Sequence, residues 1–224
     1  MAINTGRFLN GNQLTIRIDK LDEKVISLYI DIPKKYKSKL TKYLSKNKEP
    51  FFGYLYMSWN KNNKGAFLHS FYIKSKDTDG IENIISEEEI NSLKGLGKFM
   101  LCSAISIGLE NEYINMNTSI FLEADGGSCK DPSLFENYDY NDFFKKYPLE
   151  IKEILEEYGV KNLSDVPRSD LLFSICSIVA NSKLVNYYHK SYGFEDISGG
   201  RGTGNLMKSN ISNIYNSCKE ILTS

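Results

Sequence analysis

The 224-residue sequence predicts a mixed α/β fold in one domain, a sheet with helices packed on it. Three observations carry that prediction. Two pairs of apolar, strand-like segments are each joined by a turn-prone peptide, two long apolar helical runs follow them, and a strand–turn–strand–helix sequence closes the chain. With 41% hydrophobic and 12% aromatic residues the chain can bury a sizeable core, which excludes wholesale disorder.

Residues 13–19 (QLTIRID) and 25–32 (VISLYIDI) alternate apolar with polar, and LDEK between them is a turn, so a β-hairpin is expected. Pro33 then opens PKKYKSKLTKYLSKNKE, with Tyr36, Leu40, Tyr43 and Leu44 at helical spacing. Its lysines read as a solvated helix face, although they would also suit an acidic ligand. Residues 51–59 and 66–74 are aromatic-rich strands joined by NKNNKG, a second hairpin. Ser86 and Glu89 make a capping box for a helix beginning SEEEINSL. Gly95 and Gly97 interrupt the pattern before the apolar helical run KFMLCSAISIGLE, and residues 118–124 (TSIFLEA) form a strand ending at Asp125-Gly126-Gly127. Segment 126–180 reads as a largely helical insertion within the single domain 1–224, with PLEIKEILEEY stopped by Gly159. A long helix follows Pro167, GFEDIS begins a strand, GGRGTG turns, NLMKS is a strand, and ISNIYNSCKEIL closes the chain as a helix.

Lys+Arg and Asp+Glu number 28 each, so no global field draws the chain to nucleic acid or to an anionic membrane, and neither partner is expected. No apolar run approaches the roughly 18 residues of a membrane span, and MAINTGRFLNGNQ lacks the plan of a signal peptide. A cytoplasmic protein is the expectation. Cys102, Cys129, Cys176 and Cys218 lie far apart without a CxxC pair and read as reduced thiols. Only His69 and His189 are present, with no HExxH or Cys/His cluster, so no metal site is expected.

Two places carry candidate chemistry. In SLKGLGKFML, glycines at a helix start let the chain approach an anion while unpaired N–H groups and the helix dipole face it; a helix kink or close packing explains the glycines as well. The sequence is neither a P-loop nor a dinucleotide fingerprint, since Met100 stands at the third glycine position. In NSKLVNYYHKSYGF, a helix bearing tyrosines runs into a Gly-Phe strand start, which can present a phenol beside a sheet.

Taken in order, LKGLGKFML, SIFLEA and N-x-x-L-x-x-x-Y…GF resemble the GNAT acyltransferase superfamily, over residues 66–124 and 181–208. The resemblance implies a GNAT-like mixed, mostly antiparallel sheet flanked by helices, with acetyl-CoA as co-substrate and an amine as acetyl acceptor. It implies that Gly95, Leu96 and Gly97 wrap the pyrophosphate with Lys94 and Lys98 near the phosphates. Asn181 would contact the pantetheine arm, and Tyr188 would protonate the leaving thiolate. Ser92 stands where the family often has Arg or Gln, and one extra residue before Gly193 makes His189 the alternative acid. If strands 67–74 and 118–124 splay apart, free N–H groups of Phe71, Tyr72 and Ile73 would bind the pantetheine amide and polarise the thioester carbonyl. The base would be Glu123, His69 or a water, although His69 shares the alternation face of Phe67 and Phe71 and is expected to pack in the core. The rival readings are a GNAT-fold binding or structural protein without chemistry, and another enzyme of a phosphate-bearing ligand. A homodimer is left open.

Overall fold

The computed structural model describes residues 2–9, 12–31, 51–60, 65–73, 95–124, 129, 131–136, 143, 145–198 and 205–222. The lysine-rich segment 33–49, the capping-box helix from Ser86, Lys94 and the GGRGTG turn lie outside them. The strands are β1 (Ala2–Leu9), β2 (Asn12–Leu21), β3 (Val25–Asp31), β4 (Phe51–Asn60), β5 (Gly65–Ile73), β6 (Ser119–Ala124), β7 (Glu195–Asp196) and β8 (Asn205–Asn210). The α-helices are α1 (Leu96–Glu110), α2 (Pro148–Tyr158), α3 (Arg168–Tyr192) and α4 (Ile211–Leu222). The class is mixed α/β, and the strand pairs of known register are all antiparallel. By its internal contacts the chain divides into two compact units, residues 1–120 with 210–224 and residues 121–209. No helix among the described residues is long and apolar enough to cross a membrane.

In the first unit β1 to β5 form an antiparallel meander, each strand paired with the next. Period-two alternation puts one side chain in two on the core face, and the register aligns them across strands: Ile16 faces Ile30, Leu28 faces Leu55, and Ile26 faces Met57. All six are fully buried. Helix α1 packs on β3, β4 and β5, and α4 packs on α1. Because α1 is covered, it is apolar around most of its circumference, with Met100, Leu101, Ala104 and Ile105 at 0% exposure. The amphipathic α4 contributes Ile211, Ile214 and Cys218 from one face.

The β2–β3 turn is held by Asp22, whose Oδ1 accepts from the N–H groups of Lys24 (2.8 Å) and Val25 (3.0 Å). The Lys24 bond is the chief reason its carboxyl lies below the usual aspartate range. The Asp22 carbonyl accepts from Trp59 Nε1 at 3.3 Å, and the Trp59 ring stacks on Tyr113 with centroids 5.4 Å apart.

In the second unit the strand order is β6-β8-β7, with β7 and β8 antiparallel. Helices α2 and α3 close around an apolar cluster that includes Phe143, Tyr147, Ile151, Ile154, Leu171 and Ile175. Pro148 opens α2 and Gly159, at φ 62°, ends it. Helix α3 ends at Gly193 in the left-handed conformation: the Gly193 N–H donates to the His189 carbonyl (2.9 Å) and the Phe194 N–H reaches the Tyr188 carbonyl (3.4 Å). Buried Ser209 of β8 adds two hydrogen bonds from its hydroxyl, to the Tyr192 carbonyl (3.1 Å) and the Gly193 carbonyl (3.0 Å).

Two expectations are corrected. The cysteines are not free thiols: Cys102 pairs with Cys218 and Cys129 with Cys176. Nor is His69 a core residue. Ala66 and Leu68 take the core face of β5, so alternation turns Phe67 and His69 outward, and His69 is exposed; a register shift between Tyr56 and Met57 leaves it as the extra residue of a β-bulge.

Candidate functional site

In the first unit the candidate residues fall at the end of β5 and the start of α1. Phe71, Tyr72 and Ile73 pair with Leu55, Tyr54 and Gly53 of β4. Successive N–H groups along a strand point to opposite edges, so these three cannot all be free on one edge. Either Tyr72 alone, or Phe71 and Ile73 together, face away from β4. The expectation of three available N–H groups is narrowed accordingly.

Gly95 is the N-cap of α1 at φ 82°, ψ −6°, a left-handed conformation that a side chain makes costly. The first bond of the helix runs from the Phe99 N–H to the Gly95 carbonyl at 3.0 Å, which leaves the N–H groups of Leu96, Gly97 and Lys98 without helical acceptors. Among the described residues no side chain caps them, and no acidic residue lies in the first turn. The positive end of the helix dipole therefore meets no carboxylate within that turn, and the half-buried Lys98 adds a charge there. Leu96 is fully buried, so its side chain anchors the turn and only its backbone can meet a ligand.

In the second unit Asn181 and Tyr188 lie on α3. Asn181 is 6% exposed, and its Nδ2 donates to Asn205 Oδ1 at 2.6 Å. Asn205 in turn donates to Asp196, which also accepts from the Ser198 N–H (2.9 Å) and hydroxyl (2.6 Å). Partial burial pushes the Asp196 carboxyl up, but the bonds from Ser198 and Asn205 together outweigh it and leave it below its ordinary value. This chain ties the β7–β8 end to α3, a use of Asn181 that its place in a motif did not signal.

Tyr188 is 8% exposed, its ring set edge-on to Tyr187 and Phe194 at 5.7 and 5.9 Å. Burial pushes its phenol up to about 12, helped by Tyr187. One helical turn on, Tyr192 is raised further for the same first reason, and its hydroxyl lies 3.3 Å from that of Tyr187. His189 points the other way: it is exposed, and its Nδ1 lies 2.9 Å from the Phe194 carbonyl. A carbonyl only accepts, so Nδ1 carries a hydrogen and donates it. Glu123 is exposed on β6, on the face opposite buried Leu122 and Ala124.

On the first unit's sheet, His69 Nε2 lies 2.7 Å from Ser58 Oγ, with the Tyr56 and Phe67 rings at 5.2 and 4.9 Å. The two-residue contact has neither a carboxylate behind the imidazole nor an N–H pair facing it among the described contacts, so it lacks the orienter and oxyanion donors of acyl chemistry.

One groove was not anticipated. Between α2 and α3 lies a cavity of about 350 Å³ lined by Glu150, Glu153 and Glu157 from α2, Asp170 and Phe173 from α3, and Tyr158. The signal was legible: EIKEILEEY repeats glutamate at helical spacing. Phe173 is 48% and Tyr158 36% exposed. Burial, then Glu153 and Asp196, raise the Glu150 carboxyl, while burial first and Asp170 second raise the Tyr158 phenol, which is hydrogen-bonded to Asp170. Of the aromatics in the insertion, Phe143 is a fully buried core residue and Phe135 packs against that core; Tyr138, Tyr140 and Phe144 lie outside the described residues.

Among the described residues no group of three or more side chains is arranged to hold a metal ion. No protein-family model, curated protein or solved structure matches the chain.

Proposed function

We propose that the chain is a GNAT-like N-acetyltransferase that moves the acetyl group of acetyl-CoA to a cationic amine. The observation that carries the reading is the start of α1. A left-handed glycine, three N–H groups without helical acceptors, a first turn with no carboxylate and a lysine converge in one turn, and together they suit a pyrophosphate. The Gly-x-Gly spacing resembles the Gly-x-Gly/Ala part of the superfamily's pyrophosphate loop, with Ser92 where that loop often has Arg or Gln.

Direct transfer requires a neutral amine to attack the thioester carbon, after which the C–S bond breaks and the thiolate takes a proton. Tyr188 fits the last step. With its phenol near 12 it stays protonated at neutral pH and offers a hydrogen bond to the thiolate as charge collects on sulfur. Glu123, exposed and on the same unit, or a water relayed by it, accepts the amine proton.

The groove of four carboxylates supports the acceptor class. A primary ammonium pairs with the Glu150 carboxyl, which burial first and the neighbouring Glu153 and Asp196 raise, and an alkyl stem packs on Phe173 and Tyr158. Ser177 lines the groove and Tyr188 follows eleven residues later on the same helix; at 3.6 residues per turn the two share a face roughly 16 Å apart. An extended polyamine or a lysine within a basic peptide spans that distance.

One observation favours a second reading, a phosphate-ligand protein without acyl transfer: the Asn181 amide that the family directs at pantetheine is bonded to Asn205 instead. Calorimetry and thermal shift with acetyl-CoA, CoA, ATP and NAD, followed by acetylation of spermidine and of a lysine-rich peptide, separate the two. Acetyl-CoA at about 100 times its Kd should stabilise the protein by roughly 2.7 kcal/mol. Binding of CoA with no acetylated product, or a shift with ATP or NAD and none with CoA, selects the second reading, and absence of a shift with all four ligands at millimolar concentration removes both.

A further inference from the structure

Each unit carries one disulfide, and the two differ in accessibility. Cys102 of α1 and Cys218 of α4 have Cα atoms 5.6 Å apart, a sequence separation of 116 and no exposed surface on either residue. Cys129 and Cys176 of α3 have Cα atoms 5.3 Å apart and a separation of 47; Cys176 is 7% exposed and Cys129 half-buried. Thiol–disulfide exchange needs an incoming thiolate to reach one sulfur, so the second bridge is open to attack and the first is shielded.

What the second bridge holds is local. Residues Pro132–Phe135 form a 3₁₀ turn packed on α3, and Asp131 caps it by accepting from the Ser133 N–H at 3.1 Å. No residue of the turn is fully buried and only Phe135 packs on the unit's core, so the nearby covalent link is a second anchor beside it. The reduced state is also provided for, because the Asp131 carbonyl lies 3.9 Å from the Cys176 sulfur and would accept its S–H.

The geometry points to a functional form with both disulfides closed, in which Cys102–Cys218 is a permanent clamp and Cys129–Cys176 a reducible latch on the 3₁₀ turn beside α3. Each closure converts two thiols to one S–S bond, with two protons and two electrons passing to a disulfide-bearing oxidant that leaves as a dithiol. Opening reverses this. A thiolate of a dithiol reductant attacks the Cys129 sulfur, Cys176 leaves as thiolate and takes a proton, and the reductant's second thiol resolves the mixed disulfide.

The test treats the full chain, purified without reductant, with graded dithiothreitol under native conditions, then quenches with an alkylating agent for intact-mass and peptide analysis. The untreated protein should take up no label. Low reductant should label Cys129 and Cys176 and speed amide exchange across Asp131–Glu136, while Cys102 and Cys218 stay unlabelled until the protein is unfolded. Label on all four cysteines before reduction, equal rates at the two pairs, or earlier labelling of Cys102 and Cys218 would each overturn the assignment. In a parallel pair of variants, Cys102→Ser with Cys218→Ser should lower Tm by on the order of 10 °C, and Cys129→Ser with Cys176→Ser by slightly less, since loop entropy grows only with the logarithm of loop length. If a variant does not fold, the labelling order in the unaltered protein still decides.

Discussion

Gly95 and Gly97 sit two residues apart, yet alanine at each should move stability in opposite directions and ligand affinity in the same one. At Gly95 the backbone is left-handed at φ 82°, where a Cβ costs roughly 1–2 kcal/mol. For a chain of this length that lowers Tm by about 2–8 °C. Gly97 is already inside the helix, where alanine is favoured over glycine by up to roughly 1 kcal/mol, less in a first turn, so Gly97→Ala should leave Tm unchanged or raise it by about 1–3 °C. Binding follows a different rule. If the N–H groups of this turn hold a pyrophosphate, a methyl at either position stands where the phosphates approach, and the Kd for acetyl-CoA should rise at least about tenfold, or roughly 1.4 kcal/mol. Scanning calorimetry without ligand and titration calorimetry with acetyl-CoA measure the two quantities separately. A Gly97→Ala protein that melts as high as its parent and binds acetyl-CoA within about twofold of it would refute the phosphate role. Lys98→Ala should cost less affinity than either, because one flexible ammonium adds a single screened contact.

Tyr188→Phe should reduce kcat by roughly 10²–10⁴-fold with acetyl-CoA affinity nearly unchanged, whereas His189→Ala, whose ring is tied to the Phe194 carbonyl, should retain turnover. Steady-state kinetics on both proteins checks this, and near-normal kcat in Tyr188→Phe moves the acid elsewhere. Alkaline stability gives an independent reading of the same phenol. Its pKa is near 10 unfolded and about 12 folded, so both states are protonated below pH 10, and between pH 10 and 12 only the unfolded chain has released the proton. Folding stability attached to Tyr188 therefore falls as pH rises through that window, by about 2–3 kcal/mol at most, and urea melts at pH 9 and 11 should show a smaller loss in Tyr188→Phe than in the parent. In the groove, Glu150→Gln with Glu157→Gln should raise the KM for a polyamine or basic peptide about tenfold and leave the acetyl-CoA Kd unchanged. A shift confined to acetyl-CoA would contradict the acceptor assignment.

Local patterning made most of the fold legible. The alternation in 13–19 and 25–32 became β2 and β3, the aromatic pairs became β4 and β5, TSIFLEA became β6, and the helical runs became α1 to α4 within a few residues. Strand β1 was missed because AINTGRFL has no apolar alternation; the strand is specified by backbone pairing with β2. Its signal was the Asn10-Gly11 dipeptide, since Leu9 and Asn12 are Cα partners across a two-residue connection. The disulfides were unreadable for another reason. Four cysteines allow three pairings, and separations of 116 and 47 residues carry no local pattern; only helix packing brings Cys102 to Cys218. The candidate site was half legible. The glycine turn and the tyrosine helix stand out as residue types at fixed spacing. The outward turn of His69 depends on which face of β5 meets the core, set by Ala66 and Leu68, and the bond from Asn181 to Asn205 on a strand two dozen residues away.

The packing of Trp59 turns the protein into its own reporter. It is the sole tryptophan of the chain, 4% exposed, stacked on Tyr113 and hydrogen-bonded to Asp22, and all of these partners belong to the first unit. Excitation at the indole band therefore reads the cooperativity of residues 1–120 with 210–224 and is blind to the second unit. Circular dichroism sums the helices of both units, so melting of α2 and α3 alone appears as a partial fall in ellipticity. If the two optical transitions coincide on heating, the units melt as one cooperative body; if the indole signal survives a partial fall in ellipticity, the acid-lined unit opens on its own.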